Sequence, residues 1–191
     1  MVCYVVLLPA RYKLTPYIPK AGAATRNDAN SPLSLPLENF IHDLNVNTTG
    51  AFVAAQQAVG AFETLPESSA RTFIYTGNIL NTVTMAPLLD LGVGKSATAH
   101  MIELVSAAYR DRGFKYYSLI FLKRIFLTNN ARFYYADERK IDGSAAFAVD
   151  GEAHGRLYTE LAEDTSQRDW QQTFVKGVGY KSFEPHHDTT I

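Results

Sequence analysis

The sequence predicts an α/β fold in which helices pack on the faces of a parallel sheet, and three observations predict it. Apolar residues recur at helical spacing over 37–62, a short β-branched and aromatic run follows at 71–76, and a second helical pattern over 91–112 leads back to strand character at 114–122. Strand, helix, strand in that order is a crossover unit, and a crossover joins parallel neighbours.

The elements follow in chain order. Residues 2–9 are apolar but lack a basic start and are far too short to span a bilayer, so they read as a strand and not a targeting signal. Gly, Asn, Asp, Ser and Pro cluster over 19–36, which marks a loop. Leu37, Phe40, Ile41, Leu44, Phe52, Ala55, Val59 and Phe62 then keep the three-and-four spacing of one helical face. Ser34 and Pro36 supply its start and Pro66 limits its end. The run 71–76 ends at Gly77 and reads as a buried parallel strand, followed by a loop carrying Asn78, Asn81 and Pro87. In the helix over 91–112, Ala97, Met101, Leu104, Val105 and Ala108 are expected inward, Ala99 and Ser106 outward, with Gly113 as the stop. Beyond the strand at 114–122, residues 118–131 are apolar without clear periodicity and look like an insertion, since Lys115-Tyr116-Tyr117 is echoed by Arg132-Phe133-Tyr134-Tyr135. A short helix is expected over 151–164, a last strand over 170–180 bounded by Gly177 and Gly179, and a loose polar tail over 182–191.

Composition narrows the function classes. Residues 1–191 fit one domain; 47% are hydrophobic and 19% charged, which supports a packed core. A formal net charge of -1 gives no overall field favouring nucleic acid or an anionic membrane. Cys3 is the single cysteine, so neither an intramolecular disulfide nor a cysteine metal cluster is possible, and a reducing, cytoplasmic setting is expected.

Three motifs carry chemistry, and they occur in register. Asp43-Leu-Asn-Val-Asn47-Thr-Thr-Gly50-Ala-Phe52, then Thr76-Gly77-Asn78, then Gly92-Val-Gly-Lys95-Ser-Ala97 resemble the central region of short-chain dehydrogenases/reductases. Lys20-Ala21-Gly22 is similar to that family's Asn-Ala-Gly turn, with Lys20 where asparagine is expected. The resemblance spans roughly 21–113 and implies a Rossmann-like three-layer parallel sheet, an NAD or NADP cofactor, and a small-molecule carbonyl or alcohol substrate. It implies roles for Lys95, Asn78 and Asn47 in catalysis, and for Lys95, Ala21 and Gly22 in holding the cofactor. The family's lysine stabilises a tyrosinate one helical turn earlier and holds the nicotinamide ribose. The family's asparagine kinks the long helix and positions a water. The resemblance also implies a homodimer through the helices over 37–62 and 91–112.

The departures are as specific as the matches. The tyrosine position is Leu91, which cannot transfer a proton, and the serine position is Asn78, whose amide can still hydrogen-bond a carbonyl oxygen. Losing a positioned general acid costs roughly a hundredfold to ten-thousandfold in rate. No Gly-x-Gly-x-x-Gly run is present, so the first strands and their glycine-rich, pyrophosphate-binding turn are expected to be missing, leaving an open sheet edge. The Pro-Gly turn expected after the sixth strand is absent between Tyr135 and Gly143. Residues 1–19 and about 118–131 read as atypical segments, as non-coding sequence translated into protein would produce.

Other features carry blander readings. Asn78 and Asn81 suit a turn, Tyr75 suits a core strand better than a substitute acid, and Asp137-Glu138-Arg139-Lys140 reads as a solvated charged turn. His186-His187-Asp188 has metal-ligand types but lies in a polar tail, so no metal is expected. Residues 119–127 are interrupted by two basic residues and are not a membrane span. Two function classes stand: an NAD(P)-dependent oxidoreductase with impaired activity, and a catalytically inactive relative, which either binds a ligand or partner subunit or is a non-functional truncated product.

Overall fold

The computed structural model describes residues 2–7, 20–66, 69–110 and 131–183, with backbone alone for 2–7, 20 and 21. The strand expected at 114–122, most of the atypical segments, the metal-type triplet and nearly all of the tail lie outside the described residues.

Six strands form one sheet among the described residues: β1 (Val2–Leu7), β2 (Lys20–Ala21), β3 (Thr72–Thr76), β4 (Arg132–Arg139), β5 (Gln171–Val175) and β6 (Gly179–Tyr180), ordered β2-β1-β3-β4-β5-β6. The centre is parallel, Ile74 opposite Tyr134 and Ala136 opposite Gln172. The first strand runs antiparallel to β3, with Val5 opposite Ile74, so the edge expected to stand open is paired and the outermost edge is the two-residue β2. Short edge strands limit unwanted pairing. The strand that returns beside β3 is β4, starting at Arg132.

Four helices cover the faces: α1 (Leu37–Leu44), α2 (Gly50–Thr64), α3 (Leu89–Arg110) and α4 (Gly151–Glu163). Between α1 and α2, Asn45–Thr49 form a π turn. The long helix expected over 37–62 is therefore interrupted by a π turn that contains Asn47, the residue to which the resemblance assigns a kink. The extra residue in that turn shifts the helical phase. Ala51, Ala55, Ala58 and Phe62 are buried, whereas Leu37, Ile41 and Phe52, read as part of the same inward face, are 70%, 48% and 53% exposed. The start of α2's neighbour strand is sealed by Arg71, whose guanidinium donates to the carbonyls of Phe62, Leu65, Pro66 and Ser69 at the end of α2.

The sheet separates two cores. Toward α2 and α3, Phe62, Phe73, Tyr75, Ile102, Phe133 and Tyr135 pack together, with ring centroids 5.9 Å apart for Phe73–Phe133. Toward α4 lie Ile74, Tyr134, Ala136, Leu157, Leu161 and Phe174. The inward face of α3 differs from the expected one: Lys95, Thr98, Ala99, Ile102 and Ser106 are buried, while Ala97 and Leu104 face outward. Ala99 and Ser106, expected outward, thus belong to the packed side: Ala99 joins the aromatic core, and the Ser106 hydroxyl is satisfied within the helix by the Glu103 carbonyl. No helix among the described residues is long and apolar enough to cross a membrane.

Candidate functional site

The site grows from the π turn between α1 and α2. A π turn diverts part of the helical hydrogen-bond ladder, and the Asn47 carbonyl accepts from two side chains, the Tyr75 hydroxyl at 3.2 Å and the Thr98 hydroxyl at 3.2 Å. The Asn47 amide points the other way and clasps the segment after β2: its Nδ2 donates to the Ala23 carbonyl at 2.6 Å, and the Ala23 N–H reaches its Oδ1 at 3.3 Å. Asn47 thereby fixes the chain leaving Ala21 and Gly22 beside α3. Gly94 permits that closeness, since a Cβ there would stand 3.1 Å from Asn47 Cβ, and its carbonyl accepts from Thr48.

Lys95 is completely buried in the second turn of α3, and its ammonium lies at the carboxyl end of β3. Nζ donates to the Tyr75 hydroxyl at 3.1 Å and to the Thr76 carbonyl at 3.2 Å, and it sits 4.7 Å from the Tyr75 ring centroid. Leu91, one turn earlier, is half-buried and offers it no hydrogen-bonding group. Lys95 and Asn47 are thus joined through Tyr75. Tyr75 was read as a core residue, which its burial bears out, but its hydroxyl is also the link within the site.

Asn78 stands at the strand end, held by its backbone. Its N–H donates to the Tyr135 hydroxyl at 3.1 Å, and that hydroxyl donates to its carbonyl at 2.8 Å. Gly77 must be glycine here, because a Cβ would fall 2.0 Å from the Tyr135 ring. The Asn78 Oδ1 accepts from the Leu80 N–H at 3.0 Å, opening a short 3-10 turn, so the turn reading of Asn78 holds.

The acidic-basic run after Tyr135 corrects the sequence reading. Asp137, Glu138 and Arg139 are not a solvated turn; they finish β4 and are all buried. Asp137 Oδ2 accepts from Arg139 Nε at 2.5 Å, while Arg139 also reaches the Gly143 carbonyl and the Thr82 hydroxyl. The other oxygen, Asp137 Oδ1, is buried with no hydrogen-bond partner among the described residues. Burial pushes the Asp137 carboxyl up to about 6, against the downward pull of Arg139 and Lys95. The paired strand gives this away in no local motif; alternation along β4 is what puts Asp137 and Arg139 on the face of Phe133 and Tyr135.

A buried carboxyl pair braces the start of α3. Asp43 and Asp90 hydrogen-bond each other, and the Thr25 N–H donates to Asp90 Oδ2 at 2.8 Å. Burial and the hydrogen bond to Asp43 raise the Asp90 carboxyl; burial also disfavours the Asp43 anion, but hydrogen bonds from Asp90 and Thr25 prevail and hold it low. Asn27 completes the brace: its Oδ1 accepts from the Leu89 N–H at 3.0 Å and its Nδ2 donates to the Ala86 carbonyl at 2.7 Å. These contacts explain why α3 begins at Leu89, ahead of the expected position.

The glycine pairs are structural. Gly92 and Gly94 lie inside α3, and Gly177 and Gly179 take positive φ in the tight turn between β5 and β6. Among the described residues, no three His, Cys, Asp or Glu side chains gather in a way that holds a metal ion.

No protein-family model matches the chain. A curated relative, the short chain dehydrogenase/reductase dmxR12 of Cryptosporiopsis sp. (strain 8999), is 42% identical over 172 residues, covering 90% of this chain and 63% of that protein. The chain therefore spans less than two thirds of the relative's length. Among solved structures, the landomycin C-6 ketoreductase LanV with bound NADP and rabelomycin superposes with a TM-score of 0.50 at 15% identity, covering 75% of this chain and 51% of that one. That likeness concerns the fold.

Proposed function

We propose, for a chain that belongs to the short-chain dehydrogenase/reductase family, that it is an NAD(P)-dependent oxidoreductase component whose own catalytic power is impaired by leucine at position 91. The observation that supports this reading is the Lys95 ammonium, held at the carboxyl end of a parallel strand and tied to Asn47 through Tyr75. Ligands of open α/β sheets gather at the carboxyl ends of strands.

The residues fit the nicotinamide end of the cofactor better than its phosphates. Asp137 Oδ1 is a buried acceptor in want of a donor, and amide or hydroxyl N–H and O–H groups supply one. Lys95 would hold the ribose, with Ala21 and Gly22 beside it, and the Asn78 amide nitrogen would orient a substrate oxygen. None of the described glycines forms a phosphate cradle, so affinity is expected to be weak in this chain. When bound, the nicotinamide supplies or accepts a hydride; the chain's own task is to place the carbonyl or alcohol carbon and to handle the proton. The substrate is a small-molecule carbonyl or alcohol.

Leu91 favours a second reading, a catalytically inactive relative that retains ligand or partner binding. A homodimer through the helices over 37–62 and 91–112 suits either reading, since Phe52, Val53 and Leu104 are apolar and exposed there. No nucleic-acid or membrane partner is proposed, and the single cysteine fits a cytoplasmic setting.

Titration with NADPH and NADH, followed by nicotinamide fluorescence and thermal unfolding, tests the first reading. A ligand at about a hundred times its dissociation constant stabilises by ~2.7 kcal/mol. The expected outcome is a saturable rise in melting temperature that Lys95→Ala removes. A flat response to both cofactors at millimolar concentration leaves the inactive relative as the answer.

A further inference from the structure

A buried ammonium needs acceptors, and the helix that carries Lys95 does not provide one at position 91. The acceptors come from β3 instead: the Tyr75 hydroxyl at 3.1 Å, the Thr76 carbonyl at 3.2 Å and the Tyr75 ring face at 4.7 Å. The Tyr75 hydroxyl has its own proton to give, and gives it to the Asn47 carbonyl at 3.2 Å, which the π turn makes available. The result is a directional chain, ammonium to phenol to peptide carbonyl, closed off from solvent at every member because Lys95, Tyr75 and Asn47 are all 0% exposed.

We infer that Tyr75 is a positioning residue of the lysine site: its hydroxyl, delivered from the strand, replaces the hydroxyl the helix lacks at position 91 and couples Lys95 to the Asn47 carbonyl. This rests on the reading of Lys95 as the working ammonium of the site. A purely structural tyrosine would be dispensable, since the surrounding rings are Phe73, Phe133 and Tyr135 and phenylalanine would pack among them equally well. What phenylalanine cannot do is accept from an ammonium and donate to a carbonyl together. Among the described residues, Asp137, Arg139 and Tyr135 of β4 are charged or titratable groups that face this chain from another element; α3 adds the Thr98 hydroxyl on the same carbonyl.

The test uses the full chain labelled with carbon-13 at lysine Cε, with Lys95→Met assigning the resonance. Tyr75→Phe keeps the ring and removes the oxygen. Loss of one hydrogen-bond acceptor from a buried cation is expected to lower the Lys95 titration midpoint by about one pH unit, with the other lysines unmoved. A midpoint that stays put in a folded Tyr75→Phe protein overturns the proposal. Should Tyr75→Phe fail to fold, tyrosine labelled at Cζ is followed in the wild type and in Lys95→Met: the Tyr75 phenol is expected to titrate at higher pH without the ammonium, and an unchanged midpoint overturns the proposal equally. NADPH titration of the same samples separates the two readings. A shifted midpoint without NADPH binding upholds the positioning role and removes the proposed activity, whereas NADPH binding with an unshifted midpoint does the reverse.

Discussion

The two faces of the central sheet treat polar groups differently. On the face toward α4, Thr76 pairs with Tyr158 at 2.5 Å, Arg132 with Thr72 and the Ala162 carbonyl, and Glu138 with the Asp150 N–H at 2.7 Å and His154 at 3.4 Å, while Gln172, opposite Ala136, keeps its buried Oε1 without a partner among the described residues. On the face toward α2 and α3, the same strand ends carry a lysine bound to a phenol and a carboxyl with one oxygen unmatched. Both faces also have an apolar floor deeper along the strands. Satisfied polar groups serve the fold, whereas a buried group left short of a partner is where a ligand can contribute. Each face holds such an oxygen, Asp137 Oδ1 on one and Gln172 Oε1 on the other, and what sets the α3 face apart is the buried Lys95 ammonium at the strand end, which is why the proposed site is placed there.

The largest expected effect tests whether the two floors are equivalent. Phe133 touches Phe62, Phe73 and Tyr109, with centroids 5.5 to 6.4 Å away, and lies wholly buried. Phe133→Ala is expected to cost about 4 kcal/mol, and Leu161→Ala on the opposite face about 3 kcal/mol, from lost transfer energy plus the cavity left behind. Urea unfolding measures both. A loss of less than about 1 kcal/mol for Phe133→Ala means that the α3 face is loosely packed and that its polar end is not rigidly framed.

A smaller effect, with a defined direction in pH, separates the polar ends. The Asp137 carboxyl is raised from 3.8 to about 6 by burial, so the folded state holds that proton more tightly than the unfolded chain. Its contribution to stability is fully present below the unfolded value near 3.8 and is lost as pH rises through about 6. The size is about 3 kcal/mol for a shift of roughly two units. Asp90, raised for similar reasons, adds to the same slope, so the diagnostic is the difference between wild type and variant. Asp137→Asn cannot ionise and should flatten that part of the stability decline between pH 4 and pH 6, as read from urea midpoints across pH. If the two proteins decline in parallel, Asp137 does not hold its proton and the unmatched oxygen has a partner in solution.

How much of this could be read from the sequence depended on whether each feature was local. Spacing alone located α1 and α2, α3 within two residues, β3 and α4, because apolar periodicity and the Pro and Gly boundaries are short-range signals. The motif around Lys95 was equally legible, and its ammonium stands at the carboxyl end of β3. The inward face of α3 was not, because that face is lined by Lys95, Thr98 and Ser106, which hydropathy assigns to water. The start of α3 is fixed by Asn27 and Thr25, more than sixty residues upstream, and no window of sequence holds both ends of those bonds. Tyr75 was visible as a core strand residue, but its partnership with Lys95, twenty residues away on another element, needed the packed fold. Asp137 and Arg139 misled because a run of charges ordinarily marks a solvated turn, and only strand pairing with β5 shows them to be inside.

The smallest prediction sharpens the contrast between buried and solvated charge. On the outer side of α4, Arg156 and Glu152 are 2.5 Å apart at i, i+4 spacing, yet their side chains are 60% and 79% exposed. Water screens such a pair and two long side chains lose freedom in forming it, so Arg156→Ala is expected to cost no more than about 0.5 kcal/mol. Raising the salt concentration should shrink even that difference, since mobile ions compete for exposed charges. Urea midpoints at low and high salt provide the check. A cost comparable with that of losing the Asp137 proton would mean that charge on the α4 side is structural in the same degree, and burial would cease to be what distinguishes the two faces.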